Sequence, residues 1–199
     1  MSDEQSTKRS GEVWRQFQTI SIQVWKTTII GDSDPILSTT QIGRIAESLV
    51  ASTLMLASGG RLSPFTALSD DCGVDLVVLD KLTSRTLCIQ MKCRSENDRR
   101  RAAQFGVRKA SFRGDAQPYL LAFPFNPEKP ALTRSWFIPM ARVPYVAVKK
   151  KDRYAISPST ATGSKDRCSK YRQDQVSDLV SAIFEALEGR TQVVDSGMP

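Results

Sequence analysis

Gly73-Val-Asp-Leu-Val-Val-Leu-Asp80, followed after a short polar turn by Thr86-Leu-Cys-Ile-Gln-Met-Lys-Cys-Arg94, reads as a β-hairpin that carries chemistry. In its second strand Leu87, Ile89, Met91 and Cys93 alternate with Thr86, Cys88, Gln90, Lys92 and Arg94. Period two therefore sets Gln90 and Lys92 on one face, two residues apart, with apolar neighbours anchoring the other face. Asp75 leads an otherwise apolar first strand, of a composition that is usually half or fully buried. A carboxylate in that setting calls for a partner or a metal.

Composition narrows the chemistry available to such a site. The 199 residues contain no histidine, which excludes Ser-His-Asp and Cys-His catalysis, HNH-type nucleases and Cys/His zinc fingers. Hydrolysis by this chain has to run on carboxylates, lysine and a hard metal. The formal net charge of +7 favours an anionic partner, nucleic acid first. The four cysteines (Cys72, Cys88, Cys93, Cys168) show no CxxC spacing, and Cys88 and Cys93 fall on opposite faces of one strand, as reduced thiols of a cytosolic protein would. No apolar run approaches a membrane span and the N-terminus lacks the apolar core of a signal peptide, so a cytoplasmic protein with no membrane partner is expected.

Outward from the hairpin, residues 1–12 read as a disordered tail, 13–37 as an accessory element of mixed helical and strand periodicity, 38–190 as a single domain and 191–199 as a flexible tail. Ser38-Thr-Thr-Gln41 is a capping box ahead of a helix from about Ile42 to Ser58, ended by Gly59-Gly60. Its stripe Ile42, Ile45, Ala46, Leu49, Val50, Leu54 and Ala57 faces a core, with Glu47 at the border of that face and Gly43 one turn earlier leaving space beside it. Arg61 to Leu68 reads as a strand marked as edge or bulged by Pro64. After the hairpin, Ser95 to Asp98 offers an N-cap and Arg99 to Ala110 a basic helix. From Lys92 to Arg113 there are eight basic residues against Glu96 and Asp98, a net of +6, so the excess charge gathers beside Gln90 and Lys92. Tyr119–Phe125 and Ser135–Met140 read as apolar strands, Tyr145–Val148 as a further strand, and Ser157–Lys170 as a loop within reach of phosphates. Asp174 then opens a helix with the stripe Val176, Leu179, Val180, Ile183, Phe184 and Leu187, closed by Gly189.

The order of helix with Glu47, strand with Asp75 and strand with Gln90 and Lys92 resembles the PD-(D/E)xK nuclease superfamily, the restriction-endonuclease-like fold. Gly43-Arg-Ile-Ala-Glu47 is similar to the helix motif of Holliday-junction-resolvase-like members, Gly73-Val-Asp75 to the aspartate motif, and Gln90-Met-Lys92 to the (D/E/Q)xK motif in the QxK form of Mrr-like enzymes. The resemblance implies an α/β fold with an αβββαβ core over about residues 40–140, a central mixed sheet flanked by helices, and a C-terminal helix. It implies a DNA endonuclease using Mg²⁺, with Mn²⁺ able to substitute, and a homodimer as one available assembly. Carried onto this sequence, the catalytic set is Glu47, Asp75, Gln90 and Lys92. The metal donors are Glu47, Asp75, Gln90 and the Met91 carbonyl, with oxygen ligands suiting a hard cation. Asp70, Asp71 and Asp80 lie outside that set. DNA contacts fall to Arg94, Arg99, Arg100, Arg101, Arg108, Lys109 and Arg113. Because Gln90 replaces the usual acidic residue, a catalytically silent nucleic-acid-binding protein of the same fold is the alternative.

Overall fold

In a computed structural model the described residues are 37–67, 73–95, 103–112, 118–161 and 163–189. The expected tails, the accessory element up to residue 36, and Asp70, Asp71, Cys72, residues 96–102 and Arg113 lie outside them. Helix α1 (Thr39–Ala57) begins as its capping box requires. The Ser38 amide donates to Gln41 Oε1 at 2.8 Å and the Gln41 amide donates to Ser38 Oγ at 3.2 Å, which satisfies two backbone donors that the first turn leaves without helical partners. Gly59 and Gly60, at φ of 59° and 79°, end the helix, and the Gly60 amide returns to the Met55 carbonyl at 2.8 Å.

The strands in chain order are β1 (Leu62–Thr66), β2 (Leu76–Asp80), β3 (Thr86–Ser95), β4 (Phe105–Arg108), β5 (Tyr119–Phe125), β6 (Ser135–Pro139), β7 (Val148–Lys149), β8 (Arg153–Ile156) and β9 (Arg172–Gln173), with helices α2 (Val143–Val146) and α3 (Val176–Leu187). Six strands form a mixed sheet in the order β1-β2-β3-β5-β6-β9, in which β3 and β5 run parallel and the other pairs antiparallel. Pro64 lies in β1, the edge strand, where its missing amide costs no central ladder bond. A second sheet of three strands has the order β4-β8-β7.

Alternation along β3 and β5 divides the core into two layers. Ile89, Met91, Leu121, Phe123 and Phe125 pack with α1 and α3, whereas Leu120, Ala122, Trp136 and Ile138 pack with Phe105, Val107, Val143 and Ile156 of the second sheet and α2. Strand β5 is buried along its whole length because both faces are covered, which explains its unbroken apolar sequence. The fold class is the mixed α/β one expected, with the C-terminal helix in place.

Two local expectations differ. The described end of the segment read as a basic helix is strand β4 followed by a 3₁₀ turn, Lys109–Ser111. Phe105 and Val107 are both buried and face Ile156 and Tyr154 across an antiparallel pair, so period two prevails over the helical reading. Gly106 between them lowers helix propensity further. Tyr145 and Val146 belong to the short helix α2, with Pro144 in its first turn, and only Val148 enters a strand.

Candidate active site

Strand β2 begins at Leu76, opposite Ile89, while β3 runs on through Ser95 with β5 on its other side. From Gln90 onward the β2-facing edge of β3 is therefore left to other groups. Asp75 occupies its start. Its amide donates to the Ile89 carbonyl at 2.9 Å and its carbonyl accepts from the Ala67 amide at 3.2 Å, so its backbone is held from both sides. Its Oδ2 accepts from the Met91 amide at 2.6 Å, a charge-assisted bond in the place where the next ladder bond would have formed. In an extended strand the N–H and C=O of one residue point to the same side, so the Met91 carbonyl faces the same edge as Asp75.

Gln90 and Lys92 are in register with Leu120 and Ala122 and lie on the face toward the second sheet. Lys92 is half-buried, while Gln90 is only 3% exposed. Among the described residues Gln90 Oε1 has no hydrogen-bond partner. A buried amide oxygen left unmade costs about 1–3 kcal/mol, so it is either a liability or a donor for a group that binds there. Trp136 Nε1 and Arg172 Nη2 also lack partners among the described residues, but both are proton donors and neither can ligate a cation.

Glu47 comes from α1, in the layer on the opposite face of the sheet. Its side chain is 19% exposed and accepts from Arg44 Nη1 at 2.9 Å. Arg44 is 65% exposed, and an ion pair so open to solvent holds Glu47 only weakly. A Cβ on Gly43 would meet nothing within 4 Å, so the space expected one turn away is present. Cys93, on β3, is half-buried. Burial pushes its thiol up, the carboxylates of Glu47 and Asp75 raise it further, and Lys92 draws it back down. The charges of Glu47, Asp75 and Lys92 thus all bear on this thiol. Alternation assigns Cys93 to the face away from Lys92, so spacing alone does not single it out.

The remaining candidates sort differently. Arg94 and Arg108 are exposed. The Lys109 amide donates to the Asp152 carbonyl at 2.9 Å, and its Nζ donates to the carbonyls of Lys151, at 2.9 Å, and Lys150. Lys109 therefore braces a turn of its own chain. Asp80, 1% exposed, is a structural group: Arg61 Nε and Nη2 donate to its two oxygens at 2.8 Å each, and the Leu82 amide and Thr83 hydroxyl donate as well. Those donors, the Arg61 guanidinium first, hold its carboxyl below the usual carboxylate range. Among the described residues no group of three or more His, Cys, Asp and Glu side chains could hold a metal ion. A hard cation takes oxygen donors, and the orphaned Gln90 oxygen suits one, whereas Glu47 approaches the sheet from its other face.

No protein-family model matches the sequence, and no curated protein does. Among solved structures, the bacterial homing endonuclease I-Ssp6803I is similar at a TM-score of 0.54 and 16% identity over 78% of this chain and 97% of that one. The fold is of the restriction-endonuclease-like nuclease type. A second nuclease, Archaeoglobus fulgidus Hjc, a Holliday junction resolvase from an archaeal hyperthermophile, matches at a TM-score of 0.36 and 15% identity over 64% of this chain and 96% of that one. At 16% identity to the homing endonuclease the fold alone is what is shared. No helix among the described residues is long and apolar enough to cross a membrane.

Proposed function

We propose that the chain is a metal-dependent DNA endonuclease that hydrolyses phosphodiester bonds. The observations that carry this reading are Asp75, held ahead of β2 with the Met91 amide on its Oδ2, and, on the adjacent strand, Lys92 on one face with Gln90, whose buried Oε1 lacks a partner among the described residues. Asp75 is the principal metal ligand, Glu47 the second, and Gln90 Oε1 with the Met91 carbonyl the neutral oxygen donors. Mg²⁺, or Mn²⁺ in its place, supplies positive charge against the phosphate and lowers the pKa of a bound water. The chain's own part is positional. The Met91 amide fixes one Asp75 oxygen, the burial of Gln90 fixes its carbonyl, and Lys92 orients water and stabilises charge that develops on the phosphate. The positive charge concentrated from Lys92 to Arg113, with Arg94, Arg99, Arg100, Arg101, Arg108 and Arg113 as its arginines, favours a polyanionic substrate.

The experiment is cleavage of supercoiled plasmid with Mg²⁺ or Mn²⁺ and with EDTA. Nicking that EDTA abolishes and that Asp75→Ala loses supports the reading. A second reading, a catalytically silent DNA-binding protein, draws on the neutral Gln90 and on the absence of a third acidic ligand among the described residues. Tight, salt-sensitive DNA binding without cleavage at any metal concentration would select it.

A further inference from the structure

The second sheet carries a charge pattern that the hydrolytic edge does not use. Arg108, Lys149, Lys150, Lys151 and Arg153 are all exposed, against one exposed carboxylate, Asp152, on the same strands and turn. Asp152 is itself engaged by Arg153 Nε at 3.2 Å. Arg108 and Arg153 stand directly opposite each other across β4 and β8.

The turn between β7 and β8 is held in one shape. The Lys150 amide donates to the Arg153 carbonyl at 2.9 Å, and the Lys109 amide and ammonium bond to the carbonyls of Lys150, Lys151 and Asp152. Lys109 thereby fixes the backbone from which three consecutive lysines project. On the outward face Gly106 and Ala155 are small, and a Cβ on Gly106 would come within 3.3 Å of the Arg153 side chain, so that face stays low between its arginines. Val148, 63% exposed, extends the same face, whereas Lys149, in register with Tyr154, belongs to the other face and joins the arginines only at the tip. Lys92 and this sheet lie on the same side of the main sheet, because Ala122, in register with Lys92, packs in the layer that holds Phe105 and Val107.

We infer that the β4-β8-β7 sheet and its lysine tip form a docking surface for the phosphate backbone of duplex DNA, with Lys149, Lys150, Lys151, Arg108 and Arg153 as contacts and Lys109 as the positioning residue. A two-stranded ribbon with a basic tip suits the width of the B-form major groove, whereas the A-form groove of duplex RNA is too deep and narrow for it. The inference rests on DNA being the substrate and names the surface that holds it.

The test is salt-dependent binding of a labelled DNA duplex in EDTA, comparing wild type with the triple variant Lys149→Ala, Lys150→Ala, Lys151→Ala and with Lys81→Ala, an exposed lysine of the β2–β3 turn, as control. Each phosphate neutralised contributes about 0.9 to the slope of log affinity against log salt, so the triple variant should lose roughly two to three units of slope and bind at least about tenfold more weakly at low salt. Lys81→Ala should match wild type. Lys109→Met leaves the contact side chains present but unbraced, and should weaken binding without a comparable loss of slope. An unchanged slope in the triple variant, or tighter binding of duplex RNA than of duplex DNA, overturns the inference. Plasmid cleavage separates the two readings. Metal-dependent cleavage with an unchanged slope refutes the surface and leaves the nuclease, whereas a lysine-dependent slope without cleavage keeps the surface and refutes the nuclease.

Discussion

Asp75 and Asp80 bracket the same strand, and their surroundings are opposite. Asp80 closes β2 with two oxygens held by Arg61, by the Leu82 amide and by the Thr83 hydroxyl, and the Arg61 guanidinium is itself stacked 4.1 Å from the centre of the Phe184 ring. Asp75 immediately precedes β2, with the Met91 amide on its Oδ2 and with Gln90 and Lys92 on the strand beside it. A carboxylate saturated by fixed donors holds structure together. One that stands ahead of a strand, with the Met91 amide on its Oδ2, is the carboxylate to which the proposed hydrolytic reading gives a metal.

The contrast can be broken most sharply through Lys92. Lys92→Ala should lower metal-dependent cleavage at least about 100-fold, close to 2.7 kcal/mol of barrier, while leaving the melting temperature near that of wild type. A variant that melts early and cleaves normally would place Lys92 among the structural groups with Asp80. Next in size is Asp80→Ala, which leaves Arg61 facing the gap and should lower the melting temperature by roughly 5–10 °C, with cleavage by the folded fraction retained. Circular dichroism against temperature, followed by a cleavage assay well below the transition, reads both effects.

Gln90→Met tests the other side of the comparison. Removing an unpaired buried acceptor at nearly constant volume should raise stability by about 1 kcal/mol and weaken Mn²⁺ binding, measured by chemical denaturation and by titration calorimetry. Lower stability with unchanged Mn²⁺ affinity would show that the Gln90 oxygen is satisfied within the protein. The smallest effect is on acid stability. The folded-state pKa of Asp80 is depressed, so its contribution is complete above the unfolded carboxylate range near about pH 4 and is lost as pH falls through the folded value. Denaturation midpoints should therefore decline on acidification in wild type, and less steeply in Asp80→Asn.

How much of this was legible in the sequence follows from how local each signal is. The Ser38 to Gln41 box, the Gly59-Gly60 stop, the whole of β5 and the shared face of Gln90 and Lys92 depend on neighbours within one turn or one strand, and each reads directly from spacing. Phe105 to Arg108 did not, because its polar and basic surroundings suit a helix until Ile156 and Tyr154 arrive from fifty residues away to pair with it. Lys109 was read as a phosphate contact for the same reason: the carbonyls that take its ammonium lie on a distant turn. Cys93 was hidden by alternation, which assigns a face correctly but does not show that β2 ends and leaves that edge open. Charge told where an anion would be welcome along the chain. Which cations stand exposed together, as Lys149, Lys150, Lys151 and Arg153 do, depends on the pairing of β7 with β8.

The most direct test sets the two ends of β2 against each other in one experiment. Wild type, Asp75→Asn and Asp80→Asn are melted, then assayed on supercoiled plasmid with Mn²⁺ and with EDTA at a temperature where all three are folded. The expected result is that Asp75→Asn melts like wild type and loses metal-dependent nicking, while Asp80→Asn melts early and still nicks. Undiminished, EDTA-sensitive nicking by Asp75→Asn would contradict the assignment of this strand edge as the hydrolytic site.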